Sequence, residues 1–227
     1  MDIKQLGLRQ RATKTWLSLW LYAMVLVAGV LIGLTAANWT TWDVQTKLVA
    51  LSTAMLSFHV MEEWRFPGGF HYMYNVMDGS TTPNRYPMNQ LSDMWTNTIG
   101  TIVGCLMLAI GVNPMFALMQ CLQGVGELFA HTAAGFWALK RYRPQGKRTI
   151  YNPGLATSWL GYFPLCCAFV WSFATYAAPT LWEVVGAVAL GGALMAISLL
   201  LMERICKSRE TPYAYDWGDG YFEKFTD

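Results

Sequence analysis

The sequence predicts an all-α, polytopic integral membrane protein with about six transmembrane helices and both termini on the cytoplasmic side. Three observations predict it. Charge is scarce: 13% of the residues are charged and 54% are hydrophobic, where a soluble domain carries roughly 25% charged residues. Several uncharged runs exceed the ~20 apolar residues that a spanning helix needs. Aromatic side chains reach 15%, with 11 Trp, which suits belts at two membrane–water interfaces.

Each helix has its own justification. The run from Trp16 to Ala37 is uncharged over 22 residues and follows Lys4, Arg9, Arg11 and Lys14. The apolar core of a signal peptide is only ~7–15 residues long, so a retained first helix is expected over about 16–37. The second, about 46–66, stops at the break Trp64-Arg65-Phe66-Pro67-Gly68-Gly69. A loop over 67–92, rich in Tyr and Met and interrupted by Pro67, Pro83 and Pro87, follows as a candidate lid. Residues 94–126 then run 33 positions without a charge, too long for one ordinary span. Gly111-Val112-Asn113-Pro114 divides them, because Asn-Pro marks a turn and Pro suits the first turn of the next helix. Helices three and four are therefore expected at about 93–111 and 114–139. Residues 149–182 repeat the pattern with 34 uncharged positions, broken at Ala177-Ala178-Pro179-Thr180. Helices five and six are expected at about 155–177 and 180–205. Residues 1–205 read as one transmembrane domain, and 206–227 as a polar, aromatic tail.

Basic residues set the orientation, since Lys and Arg concentrate in cytoplasmic segments. With six helices, Lys4, Arg9, Arg11, Lys14, Arg65, Arg85, Lys140, Arg141, Arg143, Lys147, Arg148, Arg204, Lys207, Arg209 and Lys224 all fall inside, and only Lys47 outside. The expected location is a cell membrane, the inner membrane in a bacterium. No basic patch with interleaved aromatics points to nucleic acid. The five cysteines are odd in number and lack a C-x-x-C pair. They read as small buried apolar residues, not as disulfides or zinc ligands.

Ionisable groups inside a bilayer are costly and by default mark function. Here they cluster. Helix two carries His59-Val60-Met61-Glu62-Glu63, which places His59, Glu62 and Glu63 on one face at i,i+3 and i,i+4 spacing. Helix four carries Glu127 and His131, also i,i+4, preceded on that face by Gln120 and Gln123. Helix three opens with Asp93 and Asn97. The two histidines lie ~9 and ~13 Å from the cytoplasmic ends of their helices at 1.5 Å per residue, so they share a level in the membrane.

His59, Glu62, Glu63, Glu127 and His131 are thus the expected metal ligands, with zinc or iron as the divalent ion. Glu63, Asp93 and Tyr151 are the expected catalytic residues. Asn97, Gln123 and Asn152 are expected to touch substrate or support the ligands. The spacing is not the ferritin-like Glu-x-x-His pattern, and the H-E-x-x-H of zinc proteases is absent. Three readings stay open. One is a metal-dependent hydrolase or oxidoreductase acting on a hydrophobic or lipid-like substrate. Another is a metal-free His/Glu proton-transfer isomerase in the style of the emopamil-binding-protein fold. The last is a transporter, or a polar network that merely holds helices together. His71 reads as an interfacial histidine or part of the lid.

The motif His59-Val60-Met61-Glu62-Glu63, the second histidine His131 and Tyr151-Asn152-Pro153-Gly154 occur in that order. In these features the chain resembles the HXXEE family of integral membrane proteins over about residues 50–175. The resemblance implies a multi-helix membrane protein and no particular reaction.

Overall fold

The computed structural model describes residues 7–215 and 218–226; Lys4 of the N-terminal basic group and tail positions 216, 217 and 227 lie outside them. The described residues are helical with no strand. In chain order the helices are α1 (Leu8–Ala37), α2 (Val44–Trp64), α3 (Phe70–Met77), α4 (Gln90–Ile110), α5 (Pro114–Tyr142), α6 (Leu155–Thr175) and α7 (Leu181–Cys206), followed by a 3-10 turn at Gly220–Phe225.

The helix starts follow local chemistry. Asp43 caps α2 by accepting the Thr46 N–H at 2.9 Å. Asn89 caps α4 in a reciprocal box with Ser92. Asn113 caps α5 with Pro114 in the first turn, and Thr180 and Glu183 form a second box at α7. Each cap satisfies backbone N–H groups that the helix leaves unpaired. The Asn-Pro and Pro-Thr breaks therefore end one helix and begin the next, as the sequence suggests.

Four helices, α1, α4, α6 and α7, are long and apolar enough to cross a membrane. That is fewer than the six expected. The two others, α2 and α5, have 21 and 29 residues, so length does not distinguish them. Composition does: they carry Lys47, Glu62 and Glu63, and Glu127, Lys140 and Arg141. The helices that hold the polar cluster lose the apolar character of a simple span because of it.

α1 also begins eight positions earlier than its apolar run, at Leu8, through exposed Arg9 and Arg11. The segment 67–92 is not all loop. It contains α3, whose His71, Met73 and Asn75 face inward. Nor is the tail a loose appendage: Tyr215, Phe222 and Phe225 are buried. Among the cysteines, Cys121 and Cys166 are buried as expected, whereas Cys167 is exposed on the outside of α6. Adjacent residues of a helix point in directions ~100° apart, so both could not face inward.

Apolar packing occupies both ends of the bundle. At one end Leu17, Trp20, Leu21 and Met24 of α1 pack against Leu56, Val60 and Trp64 of α2, with Met94 and Tyr215. Trp20 and Trp64 meet edge to face at 4.8 Å. At the other end Leu48, Val49, Met107, Ala117, Met119, Cys166, Phe169 and Ala187 bring α2, α4, α5, α6 and α7 together. The polar cluster lies at the level of Leu56, Val60 and Trp64, on another face of α2.

Candidate metal centre

α2 and α5 cross so that His59 and His131 meet edge to face, with ring centroids 4.8 Å apart. Both are buried, as is Glu63. Four ligand-type atoms form a closed ring of alternating His and Glu. His59 Nε2 lies 3.6 Å from Glu63 Oε1 and 3.5 Å from Glu127 Oε2. His131 Nε2 lies 3.3 Å from the same Glu63 oxygen and 3.7 Å from the same Glu127 oxygen. Ligand atoms of His59, Glu63 and His131 all fall within 4.8 Å of one another, so this group could hold a metal ion.

These separations have a physical reading. A charge-assisted N–H···O bond is ~2.7–2.9 Å long, so 3.3–3.7 Å is too long for tight ion-pair hydrogen bonds. Ligands bound at ~2.1 Å in tetrahedral geometry stand about 3.4 Å from each other. The ring has the spacing of ligands around a centre.

The other nitrogen of each imidazole is engaged. His59 Nδ1 lies 2.9 Å from Thr157 Oγ1, and that hydroxyl donates to Glu62 Oε2 at 2.6 Å. The hydroxyl has spent its proton, so His59 Nδ1–H is the donor. His131 Nδ1 lies 3.1 Å from Asn152 Oδ1. The Asn152 amide nitrogen donates to the His131 carbonyl at 2.8 Å, which fixes the oxygen toward the imidazole, so Nδ1 of His131 is a donor too. With Nδ1 committed in this way, Nε2 is the atom that each ring turns toward the ring of four, and a neutral ring would present its lone pair there. Metal-binding histidines are oriented in this way by a partner on the far nitrogen.

Tyr151-Asn152-Pro153-Gly154 acts as a collar around this arrangement. Asn152 orients His131. Gly154 adopts φ +95°, and a Cβ there would run into the His131 imidazole. Only glycine fits both the left-handed backbone and the close approach. Tyr151 donates its hydroxyl to Glu62 at 3.0 Å. Burial, then the Glu62 charge, push the Tyr151 phenol above its ordinary range, which keeps it protonated as a donor.

Not every expected site residue joins the ring. Glu62 accepts from the Tyr151 hydroxyl, the Ala156 and Thr157 backbone N–H groups and the Thr157 hydroxyl. Its charge sits at the N-terminus of α6, where helix N–H groups favour an anion; it anchors α6 to α2. Asp93 and Asn97 form a separate cluster. Asp93 accepts from Trp64 at 2.5 Å, Tyr215 at 2.9 Å and Asn97 at 2.8 Å. Gln123 is half-buried one turn before Glu127 on α5. Gln120 receives a hydrogen bond from Ser52 at 3.1 Å, deeper in the bundle. His71 is buried and stacks on Tyr215 with centroids 3.7 Å apart.

Sequence reasoning misses Thr157 and Tyr162. Thr157 links His59 to Glu62. Tyr162 packs its ring 5.5 Å from His59. They are five residues apart, about 140° around an α-helix, yet both touch His59. The reason is a π-turn at Ser158–Tyr162, whose i→i+5 closure brings such positions together. Pro164 lies just beyond it and has no N–H to continue the normal ladder. A proline inside an apolar helix was the available signal.

The end of the site nearest the basic segments is covered. Tyr221 N–H donates to the Gly68 carbonyl at 3.0 Å, and Gly220 lies so close to the Gly68–Gly69 backbone that a Cβ would not fit. Lys147 donates to the Tyr151 carbonyl and to the Tyr221 hydroxyl, with its ammonium 4.5 Å from the Tyr221 ring. Burial, helped by Lys224, draws its pKa down to about 8. A lateral groove of about 220 Å³ opens between α2 and α6, lined by Met55, Ala156, Thr157, Leu160 and Gly161. Phe70 of α3 lies 5.3 Å from the His131 ring.

No curated protein and no solved structure matches the chain. A family model does, over residues 50–169, and that span holds His59, Glu62, Glu63, Glu127, His131 and the whole collar. The chain belongs to the family described as proteins of unknown function with an HXXEE motif.

Proposed function

We propose that this is a membrane-embedded, metal-dependent enzyme, with a divalent zinc or iron ion held by His59, Glu63, Glu127 and His131. The observation that carries the reading is the ring of four ligand atoms at 3.3–3.7 Å, with both histidines committed through Nδ1 to other partners. A purely structural network would close into shorter hydrogen bonds, because unmet charge is most costly where water is scarce.

All six long helices span the bilayer, with both termini and the Lys147 end on the cytoplasmic side. α2 and α5 are as long as the apolar four; α2 buries His59, Glu62 and Glu63, and α5 buries Gln120 and His131, which supports their crossing. The substrate is hydrophobic or lipid-like. Support comes from the α2–α6 groove, whose wall includes Thr157, the residue that positions His59, and from the aromatic cover over the opposite approach. When bound, the ion supplies Lewis acidity toward a water or a substrate oxygen. Glu127 has the most exposed side chain of the four, 26% against 2–7% for the others, so it is the ligand whose position at the ion a water or substrate oxygen would take, which would free its carboxylate to accept a proton. Glu62, Tyr151 and Asn152 hold the ligands in register.

Elemental analysis of protein purified in detergent tests the reading. The expected result is about one zinc or iron per chain, lost in His59→Ala. Absence of bound metal together with failure to take up added zinc or iron would leave the metal-free proton-transfer reading in its place.

A further inference from the structure

The Tyr162 hydroxyl is buried and, among the described residues, meets no hydrogen-bond partner. The whole side chain is 1% exposed. A buried hydroxyl without a partner loses its hydration and gains nothing in return, so such groups are rare and call for a reason. Removing the oxygen would cost the fold nothing: phenylalanine would fill the same space between α2, α5 and α6.

Its position supplies the reason. The ring stands edge-on to His59 at 5.5 Å, on the π-turn that also delivers Thr157 to the same imidazole. Gly124 makes room for it: a Cβ there would press on the Tyr162 ring and on Cys166. Gly124 lies one turn before Glu127, so α5 is shaved at the level where the tyrosine enters. The four ligand atoms offer only lone pairs toward their centre. A water, carbonyl or carboxylate bound to an ion held there would keep a lone pair to spare, and the four ligands, turned to the ion, would offer it no donor.

We infer that Tyr162 is the hydrogen-bond donor to the oxygen-bearing group that binds beside the ion held by His59, Glu63, His131 and Glu127. It is a substrate-contacting residue and not a ligand. The inference rests on the metal reading above. It assigns the centre a substrate end that accepts a hydrogen bond, such as a carbonyl, carboxylate or phosphate oxygen, with the apolar remainder of the molecule along the groove.

The test compares the parent with Tyr162→Phe, both full-length in detergent and loaded with cobalt(II), using azide as the probe anion. Cobalt binding is expected to be equal within about threefold. Azide, followed by its effect on the cobalt absorption bands, is expected to bind about 10- to 100-fold more weakly to the variant, as the loss of a donor to a charged group predicts. The metal-free variant is expected to melt at the same temperature as the parent or higher. Equal azide affinity, or no azide binding to the parent, would overturn the inference while leaving the metal reading intact. So would a lower melting temperature of the metal-free variant, or weakened cobalt binding, either of which would make the hydroxyl structural. A parent that takes up no cobalt would overturn both readings.

Discussion

Two buried acids, Asp93 and Glu63, occupy neighbouring polar clusters and differ in one respect. Asp93 is fully served: an indole, a phenol and an amide all donate to it at 2.5–2.9 Å. Glu63 faces two imidazole nitrogens at 3.3 and 3.6 Å, and each of those histidines spends its Nδ1 proton on another partner. The first arrangement satisfies a charge and locks α2, α4 and the tail together. The second leaves lone pairs converging on a point. Buried acids are therefore not equivalent evidence of function; what separates them is whether the protein itself completes their hydrogen bonds.

The largest expected effect breaks the Glu63 side of this comparison. Glu63→Ala and His131→Ala should each lower metal affinity by more than the ~10- to 100-fold typical of an orienting partner. The metal-free variants should melt no lower than the parent, because functional clusters are held at the expense of stability. Metal content and thermal unfolding in detergent check both statements. The Asp93 side should respond in the opposite sense. Asp93→Ala should keep its metal and lose about 3 kcal/mol of stability, as donors to a shared buried carboxylate lose their acceptor. Retained stability in Asp93→Ala would erase the distinction.

A smaller effect sharpens the comparison from the collar. Asn152→Ala should weaken metal binding about 10- to 100-fold by freeing the His131 tautomer. Gly154→Ala should do the same through the collision with His131 and the strained backbone at φ +95°. Competition with a chelator reads both.

These residues also show where legibility ended. His59, Glu62, Glu63, Glu127 and His131 stand out in sequence because charge is conspicuous in an apolar helix and i,i+4 spacing defines a face. That spacing cannot tell Glu62 from Glu63, since both share a face with His59. The difference arises from α6, which offers its N-terminal N–H groups to Glu62. Asp93 could not be sorted either, because its phenolic donor, Tyr215, comes from 122 residues away. Tyr162 carries no charge and was invisible without the π-turn.

The smallest predicted effect concerns Lys147 at the cover. Its folded pKa of about 8 lies below the ordinary lysine value of 10.5. Between those limits the unfolded chain holds a proton that the folded chain has released. Stability should therefore rise as pH increases from about 8 toward 10. Below pH 8 both states are charged and the gain is absent. Melting temperatures of the parent and Lys147→Met across pH 7–10 should show this rise in the parent alone.

Sequence by itself determined the helical class, the breaks and caps between helices, and the polar residues that required an explanation. Those features are local: hydropathy, i,i+4 geometry and capping act within a few residues of the chain. Tertiary structure decided which acid faces the ring, which nitrogen of each histidine is free, and how the tail and the collar enclose the site. Those outcomes depend on hydrogen bonds between groups such as Thr157 and His59, 98 positions apart. Helix periodicity carries no information over that distance; only the packing of α2, α5 and α6 does.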